Sequence, residues 1–130
     1  MQNTALKSTI LVVDDEPANL RVLKHLLAEH YTLAFAKNGP EALRVAEAQL
    51  PDLILLDVMM PDMDGPQTLK ALQQRPEGLN IPVIFMTARL QPSEIEEYRS
   101  LGAIGVIPKP FDPMTLADDI RRLVADNPER

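Results

Sequence analysis

Short apolar runs alternate along the chain with longer segments whose apolar residues recur at helical spacing. The runs lie at Ile10–Val13, Tyr31–Ala36, Asp52–Leu56, Val83–Met86 and Ile104–Ile107. Each run is almost continuously apolar, as is typical of strands that are covered on both faces of a parallel sheet. Helical spacing is clearest at Leu20, Leu23, Leu26 and Leu27 and at Leu116, Ile120, Leu123 and Val124. The pattern predicts strands that alternate with helices.

Prolines mark the predicted helix starts. Five of the twelve prolines stand where a helix should begin, namely Pro17, Pro40, Pro66, Pro92 and Pro113. Proline is favoured at the first helical position because the N–H that it lacks would have no partner there. Gly39 and Asp112 precede two of these prolines and are suitable N-cap residues. Five helix starts interleaved with five strands predict a (βα)5 chain.

The alternation predicts an α/β fold with a doubly wound, five-stranded parallel sheet. Short strand–helix connections imply right-handed crossovers, which place helices on both faces of the sheet. In open sheets of this kind, ligands bind beyond the carboxyl ends of the strands, where the strand order reverses. The residues that follow each strand are therefore the first candidates for function.

The length of 130 residues fits one ordinary domain, which we expect over residues 1–125, with a frayed tail at 126–130. That length leaves no room for a DNA-binding output domain, so we expect a stand-alone domain or one module of a longer protein. The chain contains no cysteine, which excludes disulfides, thiolate metal sites and a cysteine nucleophile.

The formal net charge of −6 argues against direct binding to nucleic acid or to an anionic membrane surface. The first residues contain no apolar stretch of signal-peptide length, and the apolar runs are too short to span a bilayer. We therefore expect a cytoplasmic protein that binds neither nucleic acid nor membranes directly.

Chemically active side chains follow four of the five predicted strands. Asp14 and Asp15 follow the first strand, Asp57 the third and Thr87 the fourth, and Lys109 lies just past the fifth. Parallel strands would bring these residues to one edge of the sheet. Taken alone, the aspartates would suit a helix start or a turn, Thr87 a strand and Lys109 the surface. Their joint placement at strand ends is what indicates a functional site.

Three carboxylates at one place repel one another. At an effective dielectric near 20, two unit charges about 4 Å apart cost roughly 4 kcal/mol. Such a cluster either raises the pKa of a carboxyl group or recruits a cation. Oxygen ligands without a nearby His or Cys favour Mg²⁺, which takes one or two carboxylates and keeps several waters. We therefore predict a Mg²⁺ site at these aspartates.

Asp57 is the candidate nucleophile of the cluster. A carboxylate that attacks phosphorus and becomes an aspartyl phosphate is an established form of covalent catalysis. Phosphoryl transfer requires positive charge around the equatorial oxygens. Mg²⁺ and Lys109 would supply this charge, and Thr87 and the backbone N–H of Ala88 can donate hydrogen bonds to the phosphoryl group.

Four other residues of reactive or unusual type are expected to be structural. Met59 and Met60 are typical of core packing. His25 and His30 are expected on the surface or at the end of a helix, away from the site.

Four segments closely resemble the receiver domains of bacterial response regulators, the CheY-like domains of two-component signal transduction systems. They are ILVVDDEP at 10–17, DLILLDVMMPDMDG at 52–65, VIFMTA at 83–88 and KPF at 109–111. The resemblance extends over essentially the whole chain. It implies the flavodoxin-like strand order 2-1-3-4-5 and a phosphorylation-activated signalling switch. Such a switch is no enzyme in the ordinary sense, because it catalyses only its own phosphorylation and dephosphorylation.

The resemblance also assigns roles to the site residues. Asp57 is the phosphoryl acceptor, Asp15 binds Mg²⁺ directly and Asp14 binds it mostly through water. Asp57 and the carbonyl of Met59 complete the protein ligands, and Mn²⁺ or Ca²⁺ can substitute for Mg²⁺. Thr87 is the switch hydroxyl that moves toward the phosphoryl group.

Three further implications of the resemblance concern Lys109 and the partners. Lys109 pairs with the phosphoryl group, and the Lys109–Pro110 peptide bond is cis. The phosphoryl donor is a histidine kinase or a phosphotransfer protein. The phosphorylated chain acts on an unidentified downstream protein, and homodimerisation on phosphorylation is compatible with the family.

Val106 departs from the family pattern, which usually has Tyr or Phe three residues before the lysine. This aromatic residue swings inward as the threonine moves, so its absence questions the aromatic half of the switch. The predicted helix from Pro92 to Leu101 carries few apolar residues. We therefore expect it to be loosely held and to report phosphorylation.

Three other functions fit the sequence less well. A metal-dependent phosphatase with an aspartyl nucleophile usually needs a second acid two residues further on, where this chain has Met59. A flavodoxin-like carrier needs a phosphate loop after the first strand, where this chain has acidic residues. A degenerate receiver that only docks proteins would not need the intact set of Asp14, Asp15, Asp57, Thr87 and Lys109.

Overall fold

The computed structural model describes residues 7–75, 80–88 and 90–126. Five strands and five helices alternate within these residues. Their order is β1 (Thr9–Val13), α1 (Pro17–Leu27), β2 (Thr32–Ala36), α2 (Gly39–Gln49), β3 (Leu53–Asp57), α3 (Gly65–Gln73), β4 (Val83–Thr87), α4 (Pro92–Ser100), β5 (Gly105–Pro108) and α5 (Leu116–Ala125). The alternation predicted from the sequence is confirmed.

All the strand pairs are parallel, and the order across the sheet is β2-β1-β3-β4-β5. The predicted flavodoxin-like order is therefore confirmed. The strand bounds differ from the predicted ones by about one residue. Asp57 and Thr87, which were expected just after β3 and β4, are the last residues of those strands.

The core consists of two apolar layers, one on each face of the sheet. Alternate residues of each central strand point to opposite layers, since side chains alternate across a strand. Leu11 and Val13 of β1 pack in the layer that α2, α3 and α4 cover, whereas Ile10 and Val12 pack in the layer that α1 and α5 cover. Burial on both faces explains why these strands are almost continuously apolar.

Four of the five predicted helix starts are confirmed. Pro17 and Pro92 are the first residues of α1 and α4, and Pro40 and Pro66 are the second residues of α2 and α3.

The prediction for Pro113 is wrong, because α5 begins three residues later with Thr115 as its N-cap residue. Asp112 uses its capping groups on the intervening turn instead. Its Oδ1 accepts the N–H of Met114 at 2.9 Å, and its carbonyl accepts the N–H of Thr115 at 3.1 Å.

The expected N-cap at Gly39 is also wrong. Asn38 is the N-cap residue of α2, and its side chain accepts the N–H of Glu41 at 2.8 Å. Glycine has no side-chain acceptor, so a neighbouring asparagine satisfies this free N–H better.

Among the residues that the structure describes, no helix combines the length and the apolar character needed to cross a bilayer. Of the tail expected at 126–130, Asp126 lies in the turn after α5, and residues 127–130 lie outside the described part of the chain.

Candidate functional site

The residues singled out in the sequence meet in a cleft at the carboxyl edge of the sheet. The cleft has a volume of about 300 Å³. It is lined by Asp15, Glu16, Asp57, Met59, Thr87, Ala88 and Lys109. It lies where β1 and β3 diverge into helices on opposite faces, as expected for a ligand site in a doubly wound sheet.

Three carboxylates form the acidic part of the site. One oxygen of each of Asp14, Asp15 and Asp57 lies within 4.8 Å of the others. Asp14 is fully buried and Asp57 is 3% exposed, whereas Asp15 is half-buried. A set of carboxylate oxygens without nitrogen or sulfur donors suits a hard divalent cation. These residues therefore fit Mg²⁺ by the chemistry of their donor atoms.

Lys109 brings a positive charge to two of these carboxylates. Its Nζ lies 3.0 Å from Asp14 Oδ2 and 2.9 Å from Asp57 Oδ1. The backbone N–H of Lys109 donates to the carbonyl of Thr87 at 3.0 Å, which extends the β4–β5 pairing to the edge of the cleft. The Lys109–Pro110 peptide bond is cis, as the family resemblance implied.

The pKa values of Asp57 and Lys109 both depart from their ordinary values. Burial raises the pKa of Asp57 from 3.8 to about 6, although the hydrogen bond from Lys109 opposes this rise, and the charge of Asp14 adds to it. Burial lowers the pKa of the Lys109 ammonium, but Asp57 and Asp14 outweigh burial and raise this pKa above 10.5. Any further positive charge in the cleft would therefore stabilise the ionised form of the Asp57 carboxyl and lower its pKa.

Asp14 is held by three hydrogen-bond donors. Its Oδ1 accepts the backbone N–H of Glu16 at 2.9 Å, and its Oδ2 accepts Lys109 Nζ and also Asn19 Nδ2 at 3.1 Å. The sequence reasoning missed Glu16 and Asn19. Glu16 is the N-cap residue and Asn19 a first-turn residue of a helix that begins at the site, and these positions could have indicated them.

The loop after β3 positions Asp57. The N–H of Met59 donates to Asp57 Oδ1 at 3.3 Å, and the N–H of Gly65 donates to the carbonyl of Val58 at 2.9 Å. The prediction of core packing is confirmed for Met60, which is 8% exposed. It is wrong for Met59, which is 64% exposed, because its side chain lies at the mouth of the cleft.

The remaining candidates lie around the end of β4. Thr87 is 2% exposed, and Ala88 follows it at the surface. Val106 is half-buried and lies beside Phe85 in the β4–β5 register, two residues before Thr87. Both His25 and His30 are exposed and do not line the cleft.

Comparison with known proteins gives one consistent result. The family model of the response regulator receiver domain matches residues 10–121. Response regulator PleD of Caulobacter vibrioides is 41% identical over 119 residues, which are 91% of this chain and 26% of PleD. The alkaline phosphatase synthesis transcriptional regulatory protein PhoP of Bacillus subtilis is 38% identical over 109 residues, which are 83% of this chain and 45% of PhoP.

A solved structure supports the same result. The chemotaxis response regulator CheY4 of Vibrio cholerae superposes with a TM-score of 0.83 and 31% sequence identity, over 90% of this chain and 98% of CheY4. By contrast, the chain spans only a quarter of the length of PleD and less than half of PhoP.

Proposed function

Because the chain belongs to the response regulator receiver domain family, we propose that it is a Mg²⁺-dependent phosphorylation switch whose phosphoryl acceptor is Asp57. It catalyses its own phosphorylation and dephosphorylation and has no other substrate. The switch then acts by a change of conformation.

One observation carries this proposal. Residues from four separate chain segments converge, so that Asp57 has two further carboxylates within 4.8 Å and an ammonium group at 2.9 Å. Burying these acids together costs stability, since like charges repel and lose their hydration. Such a cost is typical of a functional site.

The carboxylate pattern supports Mg²⁺ as the cation. Asp15 and Asp57 would hold it directly, and the carbonyl of Met59 would complete the protein ligands. Asp14 would act through water, because both of its oxygens already accept hydrogen bonds from the protein. When bound, Mg²⁺ supplies positive charge to the oxygens of the incoming phosphoryl group.

In the reaction that we propose, Asp57 is the nucleophile. One of its carboxylate oxygens forms a bond to phosphorus while the phosphorus–nitrogen bond of a phosphohistidine breaks, and the leaving imidazole takes up a proton. The ammonium group of Lys109 exchanges its contact with Asp57 for a contact with the phosphoryl oxygens. The hydroxyl of Thr87 and the N–H of Ala88 donate to the same oxygens.

Thr87 is the residue through which phosphorylation would change the fold. It ends β4 and is buried beside the cleft, so a movement toward the phosphoryl group displaces the start of the β4–α4 loop. Val106 lies near this path but has no ring to rotate. The output therefore depends on Thr87 and on its neighbours in β4 and α4.

The partners follow from the chemistry. A histidine kinase or a phosphotransfer protein supplies the phosphoryl group, and a downstream protein recognises the phosphorylated form. Both proposed partners are proteins. The net charge of −6 does not favour a direct contact of this chain with nucleic acid.

Mass spectrometry after incubation with acetyl phosphate tests the proposal. With Mg²⁺ we expect one added phosphoryl group, and with EDTA we expect none. The Asp57→Ala variant should stay unmodified, whereas Asp52→Ala, which changes an exposed aspartate of the same segment, should be modified like the wild type. A phosphoryl group that persists in Asp57→Ala would refute the assignment of the acceptor. An unmodified wild type would refute the proposed chemistry and favour a degenerate receiver that only docks proteins.

A further inference from the structure

Asn19 connects two carboxylates at the edge of the cleft. It lies half-buried in the first turn of α1. Its Nδ2 donates to Asp14 Oδ2 at 3.1 Å and to Glu16 Oε1 at 3.0 Å. An amide NH2 group has two hydrogens, so one side chain can satisfy both acids without adding a charge.

This contact restricts Asp14. The buried Asp14 carboxylate has Oδ1 on the N–H of Glu16, and Asn19 shares Oδ2 with Lys109. Turning Asp14 toward a cation would break the bond to Asn19 and leave the half-buried amide with Glu16 as its remaining acceptor. A buried carboxylate that loses a hydrogen-bond donor is destabilised, so Asn19 stabilises the rotamer of the buried Asp14 that faces Lys109.

The same contact restricts Glu16. This residue is exposed and lines the cleft together with Asp15 and Asp57. An exposed glutamate with free side-chain torsions could turn its carboxylate toward a cation in the cleft. The hydrogen bond from Asn19 instead keeps Oε1 of Glu16 beside the first turn of α1.

From this geometry we infer that Asn19 is a positioning residue that sets the cation preference of the cleft, by keeping Asp14 and Glu16 out of the direct ligand set. The inference rests on the proposed function, since it concerns the same cation site. It leaves Asp15 and the Oδ2 of Asp57 to bind a cation directly, since Asp57 Oδ1 already accepts from Lys109 and Met59.

The number of free carboxylates matters for selectivity. Mg²⁺ binds through one or two carboxylates and retains several waters, whereas Ca²⁺ takes 6–8 oxygens in flexible geometry. Two free carboxylates suit Mg²⁺. Releasing Glu16 and loosening Asp14 would add ligands that the larger cation can use and that the octahedral shell of Mg²⁺ accommodates poorly.

Isothermal titration of the full chain with MgCl2 and with CaCl2 tests the inference. In Asn19→Ala we expect the ratio of the Ca²⁺ affinity to the Mg²⁺ affinity to rise by at least about fivefold, because the freed acids favour the cation of higher coordination number. The double variant Glu16→Gln/Asn19→Ala should lose much of this gain. Its neutral amide cannot replace the freed carboxylate.

Asn38→Ala is the matched control. Asn38 also stands at a helix start, where its side chain accepts the N–H of Glu41, but it does not line the cleft. This variant should lower stability and leave the affinity ratio unchanged. If Asn19→Ala changed the Mg²⁺ and Ca²⁺ affinities by the same factor, Asn19 would have only a structural role and the inference would be refuted.

The titration also separates the two proposals. A wild type that binds Mg²⁺ and is phosphorylated, together with an unchanged ratio in Asn19→Ala, contradicts this inference alone. A wild type that neither binds Mg²⁺ nor accepts a phosphoryl group contradicts the proposed function and the inference with it.

Discussion

Lys109 Nζ lies 2.9 Å from Asp57 Oδ1, although β4 lies between β3, which ends at Asp57, and β5, which ends just before Lys109. The long lysine side chain spans this distance along the edge of the sheet. Lys109 also contacts Asp14, so it neutralises part of the charge on two buried carboxylates at once. The contact therefore stabilises the fold, and under the proposed function it holds the ammonium group beside the phosphoryl acceptor.

Replacing Lys109 should destabilise the protein. Breaking a buried ion pair from one side costs about 3–5 kcal/mol, and the partial exposure of Lys109 reduces the expected loss for Lys109→Met to about 2 kcal/mol. Urea denaturation at neutral pH measures this loss. Lys70→Met, which changes an exposed lysine of α3, is the control. Equal stabilities of the two variants would contradict the importance of the Lys109 contacts.

The pKa of Asp57 predicts how stability varies with pH. The folded protein binds this proton with a pKa of about 6, against 3.8 for an ordinary aspartate. Between pH 4 and 6 the folded state therefore holds more protons than the unfolded state, and the contribution of Asp57 to stability falls as the pH rises. The difference amounts to about 3 kcal/mol above pH 6.

Asp57→Asn tests this relation, because asparagine has a similar shape and no charge to bury. In EDTA, we expect the variant to gain up to about 3 kcal/mol over the wild type at pH 7 and little at pH 4. Urea denaturation at several pH values gives the difference between the two proteins. A difference that does not grow between pH 4 and 6 would show that Asp57 titrates normally.

Gly65 should be needed for the geometry of the acceptor. A Cβ atom at this position would lie 2.6 Å from the carbonyl oxygen of Asp57 and 2.9 Å from Val58 Cα, so the backbone would have to shift. We expect Gly65→Ala to cost about 1–3 kcal/mol and to slow phosphorylation by acetyl phosphate. Denaturation and a time course by mass spectrometry measure the two effects.

Gly102→Ala serves as the comparison for Gly65→Ala. Gly102 has a φ of +117° at the end of α4, and an added Cβ would approach Gln73 Nε2. This conformation is strained for alanine, so we expect a loss of stability of similar size. The phosphorylation rate should be unchanged. A slower reaction in Gly102→Ala as well would show that the rate follows stability rather than the position of Asp57.

Tyr98 should decide how firmly α4 is held. It is the buried residue of this helix, and its ring meets Phe85 of β4 edge to face, with the centroids 5.1 Å apart. Tyr98→Ala should cost about 3 kcal/mol, as for other buried aromatic residues. Hydrogen exchange should accelerate in α4 more than in α5, because α5 retains Leu116 and Ile120 in the core. Equal acceleration in both helices would contradict this account.

The same measurement on the wild type tests whether α4 is loosely held. One buried side chain supports α4, whereas α3 has Thr68, Leu69 and Leu72 in addition to Gly65. We therefore expect α4 to exchange faster than α3, since opening it exposes less apolar surface. Slower exchange in α4 would show that contacts other than Tyr98 hold it.

The sequence by itself determined the alternation of strands and helices along the chain and the composition of the acidic site. Short continuous apolar runs such as Leu53–Leu56, set between helical segments, favour strands that are covered on both faces, and Pro17 and Pro92 start helices because proline lacks a backbone N–H. Parallel strands then oblige Asp14, Asp57 and Lys109 to share one edge of the sheet. These properties depend on residue type and on short spacing, which a sequence displays directly.

The tertiary structure alone decided which polar groups are partners. Asn19 bridges Asp14 and Glu16, Met59 turns outward while Met60 turns inward, and Asp112 caps a turn ahead of α5 rather than the helix itself. Each of these outcomes is a competition among several donors or rotamers within reach of one acceptor. Which donor or rotamer is adopted depends on distances of a few tenths of an ångström and on burial. Both are set only when distant segments pack together.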